Sequence, residues 1–200
     1  MSFLDRLRVR WRRSNPRSFW EREYSNDSAE DKWASETRLS FYEFAGEVLP
    51  KEPLRILDIG SGLGHGGRHL TSLCSLWQVE GFEISRAAAE QAVIPTRCGD
   101  LLSDPLPWGF DFLLLVQTLE HFRDTAAVLS RVVHAARRGV VITVPYRGQL
   151  NRKHLSSLDE SSFAAYPDAT VQLRRRRYEK NGSLKTDMRV VIPTRGAPPK

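Results

Sequence analysis

The sequence predicts an α/β protein: a doubly wound, seven-stranded, mostly parallel sheet that ends in an antiparallel hairpin, with cap helices ahead of its first strand. Three observations predict it. Short apolar runs alternate with helix-period segments from Leu54 to Val144, the pattern of βαβ units wound around a parallel sheet. The first run breaks into glycines at alternating positions, Gly60, Gly62 and Gly64, and a helical pattern opens behind them. The last two runs, Thr170 to Tyr178 and Leu184 to Ile192, flank Asn181-Gly182, a strong signal for a hairpin turn.

Length and composition agree with one enzyme-sized domain. The chain has 200 residues, 40% hydrophobic and 10% aromatic, enough for a single core. A mean hydropathy of -0.42 marks a soluble protein, and no apolar run approaches the ~20 residues that span a bilayer. Arginines interrupt the N-terminus, unlike a signal peptide. Cys74 and Cys98 show neither metal spacing nor a disulfide framework. A cytoplasmic setting is therefore expected. The domain itself is expected over residues 51–193, behind a basic segment with cap helices over 1–50 and ahead of a tail over 194–200.

The net charge of +6 conceals a division. Residues 1–20 hold six arginines against Asp5, and residues 171–200 hold nine Lys and Arg against Glu179 and Asp187. The middle of the chain is consequently acidic. A nucleic-acid enzyme surrounds its site with positive charge, so nucleic acid is a disfavoured partner.

In chain order, Phe3, Leu4, Leu7 and Trp11 fall on one side of a helix with Arg6, Arg10 and Arg13 elsewhere, until Asn15-Pro16 ends the pattern. Such a basic amphipathic segment, residues 1–15, can lie on an anionic membrane surface as a peripheral contact. The bland alternative is a solvated or partner-packed tail. Phe19-Trp20-Glu21-Arg22-Glu23-Tyr24 is an aromatic cluster, and Trp33 to Val48 reads as a cap helix. Leu54 to Ile59 is the first strand. Asp58, one residue before its end, is an expensive carboxylate to bury, so it is expected to face something cationic or hydrogen-bond donating. Arg68 to Leu76 continues as a helix, and Gln78 to Ile84 is a second strand with Glu83 at its end. Ser85 is a plausible N-cap for a helix to Val93. Pro95 opens a third strand that runs to Cys98-Gly99-Asp100. Phe110 to Val116 is the cleanest buried strand. Asp124 caps a helix that Gly139 stops, and Val140 to Val144 is the fifth strand. A polar stretch follows, with a short helix over Asp159 to Ala165. Arg174 to Arg177 read as a solvated edge that discourages aggregation.

A strand followed by Asp58-Ile59-Gly60-Ser61-Gly62-Leu63-Gly64 resembles the first motif of the class I S-adenosylmethionine-dependent methyltransferases. The resemblance covers roughly residues 54–192, and the terminal hairpin agrees with it. It implies a Rossmann-like methyltransferase fold with S-adenosylmethionine as cofactor. The glycine loop, Gly60, Ser61, Gly62 and Gly64, then passes under the methionine part, whose ammonium is the cation for Asp58. Glu83 with Ile84 takes the ribose hydroxyls, Asp100 with Leu101 takes the adenine, and Gln117 completes the cofactor set. The alternative is that Asp100 is only a turn residue or helix cap. Gly62-Leu63-Gly64-His65-Gly66-Gly67 also satisfies Gly-x-Gly-x-x-Gly, so a nicotinamide dehydrogenase is the structural rival. Against it, Asp58 occupies a place where that class needs an apolar side chain.

An oxygen nucleophile needs a base for its proton. The end of the fourth strand faces the transferable methyl in this family, which nominates Glu120 and His121 as the catalytic pair. The bland alternative is that they only order the loop. Relatives with Glu-x-x-Glu-His there can bind a divalent metal. Here the first position is Gln117, so no metal is expected. Trp20 and Tyr24 are expected at the substrate entrance. Tyr146, Arg147 and His154 in the basic stretch beyond the fifth strand point to an anionic small-molecule acceptor such as a lipid, sugar or natural product. A non-catalytic cofactor-binding module on membrane or nucleic acid is the alternative from another class.

Overall fold

The computed structural model describes residues 14–25, 34–177 and 183–194. Helices α1 (Arg17–Tyr24) and α2 (Glu36–Gly46) precede β1 (Leu54–Ile59), α3 (His65–Leu73), β2 (Trp77–Glu83), α4 (Arg86–Gln91) and β3 (Thr96–Cys98). Then come β4 (Phe112–Val116), a 3-10 turn over Leu119–His121, α5 (Thr125–Ala135) and β5 (Gly139–Pro145). A 3-10 turn over Glu160–Phe163 and the hairpin strands β6 (Thr170–Arg177) and β7 (Leu184–Pro193) complete the chain. The strand order is β3-β2-β1-β4-β5-β7-β6. The first five strands pair in parallel, and β7 runs antiparallel between β5 and β6. The amphipathic segment expected over residues 1–15 lies outside the described residues as far as 13. The Asn181-Gly182 turn does so too.

Alternation along the strands sorts the core into two layers. Leu57, Ile59, Leu113, Leu115, Val140 and Ile142 pack with α5 on one face. Leu54, Ile56, Phe112, Leu114, Val116 and Val141 pack under Phe41, Tyr42, Ala45 and Leu70 on the other. Asp58, fully buried, continues the second series where an apolar residue would keep the alternation.

Helix boundaries moved where local geometry overrode the pattern. The helix expected from Arg68 begins at His65, because Gly64 serves as N-cap in a left-handed conformation (φ 78°) and starts it at once. Gly139 does not stop α5; that helix ends at Ala135, and Gly139 opens β5. The helix expected over Asp159 to Ala165 is a single 3-10 turn closed by a capping box between Asp159 and Ser162. The caps at Ser85 and Asp124 stand, accepting from the amides of Ala88 and Ala127.

The arginine run is half structural. β6 is an edge strand, and Arg175 and Arg177 are exposed. Arg174 and Arg176 face the cap helix instead, over the rings of Phe44 and Phe41 at 4.3 and 4.6 Å. Buried Asp187 on β7 receives Arg176 at 2.7 Å. Arg189 covers the Phe44 ring from another side at 4.4 Å and bonds Glu47 at 2.7 Å. The solvated-edge reading failed there because strand alternation sends every second arginine inward, where α2 supplies aromatic faces and β7 an anion.

Candidate active site

Chain reversal beside β1 creates the site. β1 lies between β2 and β4, so the connections leave in opposite directions and open a crevice at the strands' C-terminal ends. A cleft opens there, lined by residues at the ends of the strands from β1 to β4.

The floor is the glycine loop. Gly60 and Gly62 have φ of 74° and 55°, a region that side chains strain to adopt. A Cβ on Gly62 would meet the Tyr24 hydroxyl at 2.6 Å, and one on Gly60 would meet Thr118 at 2.8 Å. Gly64 is not on the wall; its φ of 78° serves the turn into α3, and its face packs on Ile94.

Asp58 sits behind this floor. Its Oδ2 accepts from the Tyr42 hydroxyl at 2.9 Å, while Oδ1 has no hydrogen-bond partner among the described residues. Burial pushes its pKa up to about 7, the Tyr42 bond opposes this, and Glu83 adds to it. A buried acceptor left without a donor is the feature a ligand ammonium would relieve. Glu83 accepts from Gly62 N at 2.8 Å through one oxygen and from Ser85 N at 2.9 Å through the other. It is 3% exposed, and burial raises its pKa against those amide bonds. Each oxygen retains acceptor capacity toward a pair of hydroxyls. Asp100 lines the cleft and also caps its own turn, with Oδ1 accepting from Leu102 N at 2.8 Å. Asp100 is therefore a turn cap that also faces the cleft. Ser61, Ile84, Leu101 and Gln117 line the cleft as well. Gln117 has φ 53°, strain that a non-glycine residue tolerates where the site fixes it, and its Nε2 has no partner among the described residues.

The catalytic pair separates. His121 lines the cleft, with Trp20 edge-on at 4.8 Å. Its Nδ1 lies 2.9 Å from the Lys153 carbonyl. A carbonyl only accepts, so Nδ1 carries the proton and Nε2 keeps a lone pair. Burial lowers its pKa to about 4, opposed by the Lys153 carbonyl and assisted by the charges of His154, Arg38 and Lys153. Glu120 is 3% exposed and is not on the cleft wall. Burial pushes its carboxyl up to about 8, so it is uncharged at neutral pH. Its backbone carbonyl instead anchors the amides of Leu155 and Ser156. The expected pairing failed because neighbours on a tight turn point in different directions.

The basic stretch also separates. Trp20 and Tyr24 line the cleft, but Tyr146, Arg147 and His154 do not. Tyr146 donates to Glu160 at 3.1 Å, and Arg147 lies near Asp159 at 3.5 Å. His154 stands behind His121, ring centroids 5.5 Å apart. The cation that does line the cleft is Arg38 of α2, which the sequence reading missed along with Phe41, Tyr42 and Asn15. Arg38 and Tyr42 stand four residues apart on a helix and share a face; that spacing was the available signal. Among the described residues no group of three His, Cys, Asp or Glu side chains is placed to hold a metal ion.

A glycine turn and cleft at the switch point of a parallel sheet with a terminal antiparallel hairpin agree with a class I methyltransferase. The chain belongs to that family: the model described as a methyltransferase domain matches residues 30–185. No curated protein matches it. Among solved structures, the plantazolicin methyltransferase BpumL is similar at a TM-score of 0.67 and 15% identity, over 94% of this chain and 97% of that one. A methyltransferase bound to the Trm112 activator of Haloferax volcanii aligns at 0.66 and 13% identity, over 92% and 99%. Magnesium protoporphyrin IX methyltransferase from Synechocystis PCC 6803, with S-adenosylmethionine bound, aligns at 0.61 and 15%, over 88% and 96%. At these identities the likeness is one of fold.

The protein is thus an S-adenosylmethionine-dependent methyltransferase. The site fits the cofactor: Asp58, which does not itself line the cleft, keeps an unpartnered oxygen behind the glycine floor, Gly62 leaves that floor without a side chain, and Glu83 offers two acceptors. When bound, the cofactor supplies a methyl group on a sulfonium.

Proposed function

We propose that the enzyme methylates an oxygen of a small, anionic acceptor, with His121 as the base. One observation carries this reading: the neutral His121 imidazole lines the cleft with its Nδ1 proton engaged, which leaves Nε2 as a lone pair for the acceptor's proton. Trp20, Phe41 and Phe122 give this end of the cleft apolar and aromatic walls. Arg38 is the charge that favours an anion there, replacing the exposed Arg147 in that role. These walls would hold an acceptor in place, and methyl transfer depends chiefly on such alignment.

The test is transfer of a labelled methyl group to metabolite pools separated by charge. Label in an acidic or phenolic fraction, as an ether or ester, is the expected result. Label confined to amines, or to protein or nucleic acid, would overturn the reading.

A further inference from the structure

Asn15 is 3% exposed and lines the cleft just ahead of α1, although its sequence position suggests only a helix stop. Its Nδ2 donates to the Lys153 carbonyl at 2.8 Å. The same oxygen accepts from His121 Nδ1 at 2.9 Å. A carbonyl oxygen has two lone pairs, and these two donors use both.

The neighbourhood fixes this oxygen from two sides. Asn151 Oδ1 accepts from the amides of Lys153 and His154 at 2.8 and 3.0 Å, making a tight turn. The turn is tied to the base's own segment by Leu155 N, which donates to the Glu120 carbonyl at 2.7 Å. On the other side stands the strap formed by residues 14–25. Ser14 bridges to Phe122, and Glu23 pairs with Lys153 Nζ at 2.5 Å. Glu21 holds the strap's far side by accepting from the amides of Arg86 and Ala87, at 2.8 and 3.2 Å, at the start of α4.

We propose that Asn15 is a positioning residue: by pinning the Lys153 carbonyl it holds His121 in its Nδ1–H tautomer, so that the base is set only when the strap is docked over the cleft. This rests on the reading of His121 as the base. A neutral imidazole has two tautomers, and only this one presents the Nε2 lone pair. The groups facing the ring are His154, Arg38 and Lys153, all of which disfavour a positive charge on it. Trp20, on the strap, also restrains the ring edge-on. Lifting the strap removes Asn15 and Trp20 together, wets the carbonyl and lets the tautomers exchange. The lone pair is then set where water is excluded, in the closed cleft.

The test is nitrogen NMR on the full chain with labelled histidine, which distinguishes the two tautomers directly. Wild type should show His121 as the Nδ1–H form throughout the neutral range. Asn15→Leu keeps the volume and removes the donor. It should populate the Nε2–H form, which the nitrogen shifts report directly. Glu23→Gln, which loosens the strap without touching the cleft wall, should shift the tautomer ratio in the same direction by less. If Asn15→Leu folds and leaves His121 wholly Nδ1–H, Asn15 is only packing and the proposal falls. If Asn15→Leu does not fold, Glu23→Gln decides: an unchanged tautomer ratio overturns it. Normal turnover in His121→Ala, with the tautomer shift still seen in Asn15→Leu, would overturn the base assignment and leave the Asn15 linkage standing.

Discussion

Burial of Asp58 makes cofactor binding a titration. Its carboxyl, held at about 7, is protonated in the free enzyme below that pH. On the proposal that Asp58 holds the cofactor's ammonium, pairing requires the carboxylate, and binding below pH 7 then expels a proton. Affinity should fall about tenfold for each pH unit below 7. Calorimetry in buffers of different ionisation enthalpy should count about one proton released at pH 6; no proton released would dissociate Asp58 from the ammonium. The sign for stability is opposite. A raised carboxyl pKa stabilises the free fold at low pH, and that contribution is lost as pH rises through 7. The free enzyme should therefore melt lower at pH 8 than at pH 6 as far as Asp58 is concerned. Tyr42→Phe removes the hydroxyl from Oδ2 and raises the Asp58 pKa, which moves the affinity inflection upward. His121 shows how a residue can be found from sequence while its chemistry is not. Its position at the end of β4 was legible, but the lowering of its pKa by burial was not. Burial against Trp20 and the neighbouring cations brings it to about 4, so turnover should show no inflection near 6.5 from this residue.

At the scale of elements, the parallel sheet, the glycine turn and the terminal hairpin were legible because period-2 and period-3.6 patterns are local. The clamp between α2 and the hairpin was not, since it joins residues far apart in the chain. Arg174, Arg176 and Arg189 reach Phe41 and Phe44 only after β7 has inserted beside β5. Asp187, 2% exposed, is the anion at its centre. Asp187→Ala should cost about 2 kcal/mol in urea unfolding, because it removes the buried carboxylate that two half-buried guanidinium groups share. Loss of less than about 0.5 kcal/mol, the range of a surface change, would show that the clamp is solvated. The same substitution should weaken cofactor binding, since α2 carries Arg38 and Tyr42. The strap follows the same rule: Asn15 and Lys153 are 138 positions apart, and no pattern in either segment announces their contact.

Across the whole molecule, charge and site are divided. The strap belongs to the cleft from Ser14 onward, so the proposed surface contact is tested on the basic segment over residues 1–13. Its alternation of arginine with Phe3, Leu4, Leu7 and Trp11 predicts binding to anionic vesicles that weakens with salt, as exposed charges are screened over ~10 Å at 0.1 M. Deleting residues 1–13 should abolish that binding and leave cofactor affinity intact; equal partitioning onto neutral vesicles would refute the electrostatic account. The central claim, methyl transfer to oxygen with His121 as base, is tested most directly by turnover of His121→Ala on the acceptor that the labelling screen returns. A positioned base contributes about 10²–10⁴-fold, so turnover should fall by that factor while cofactor affinity holds. A His121→Ala enzyme that turns over at the wild-type rate would contradict the claim.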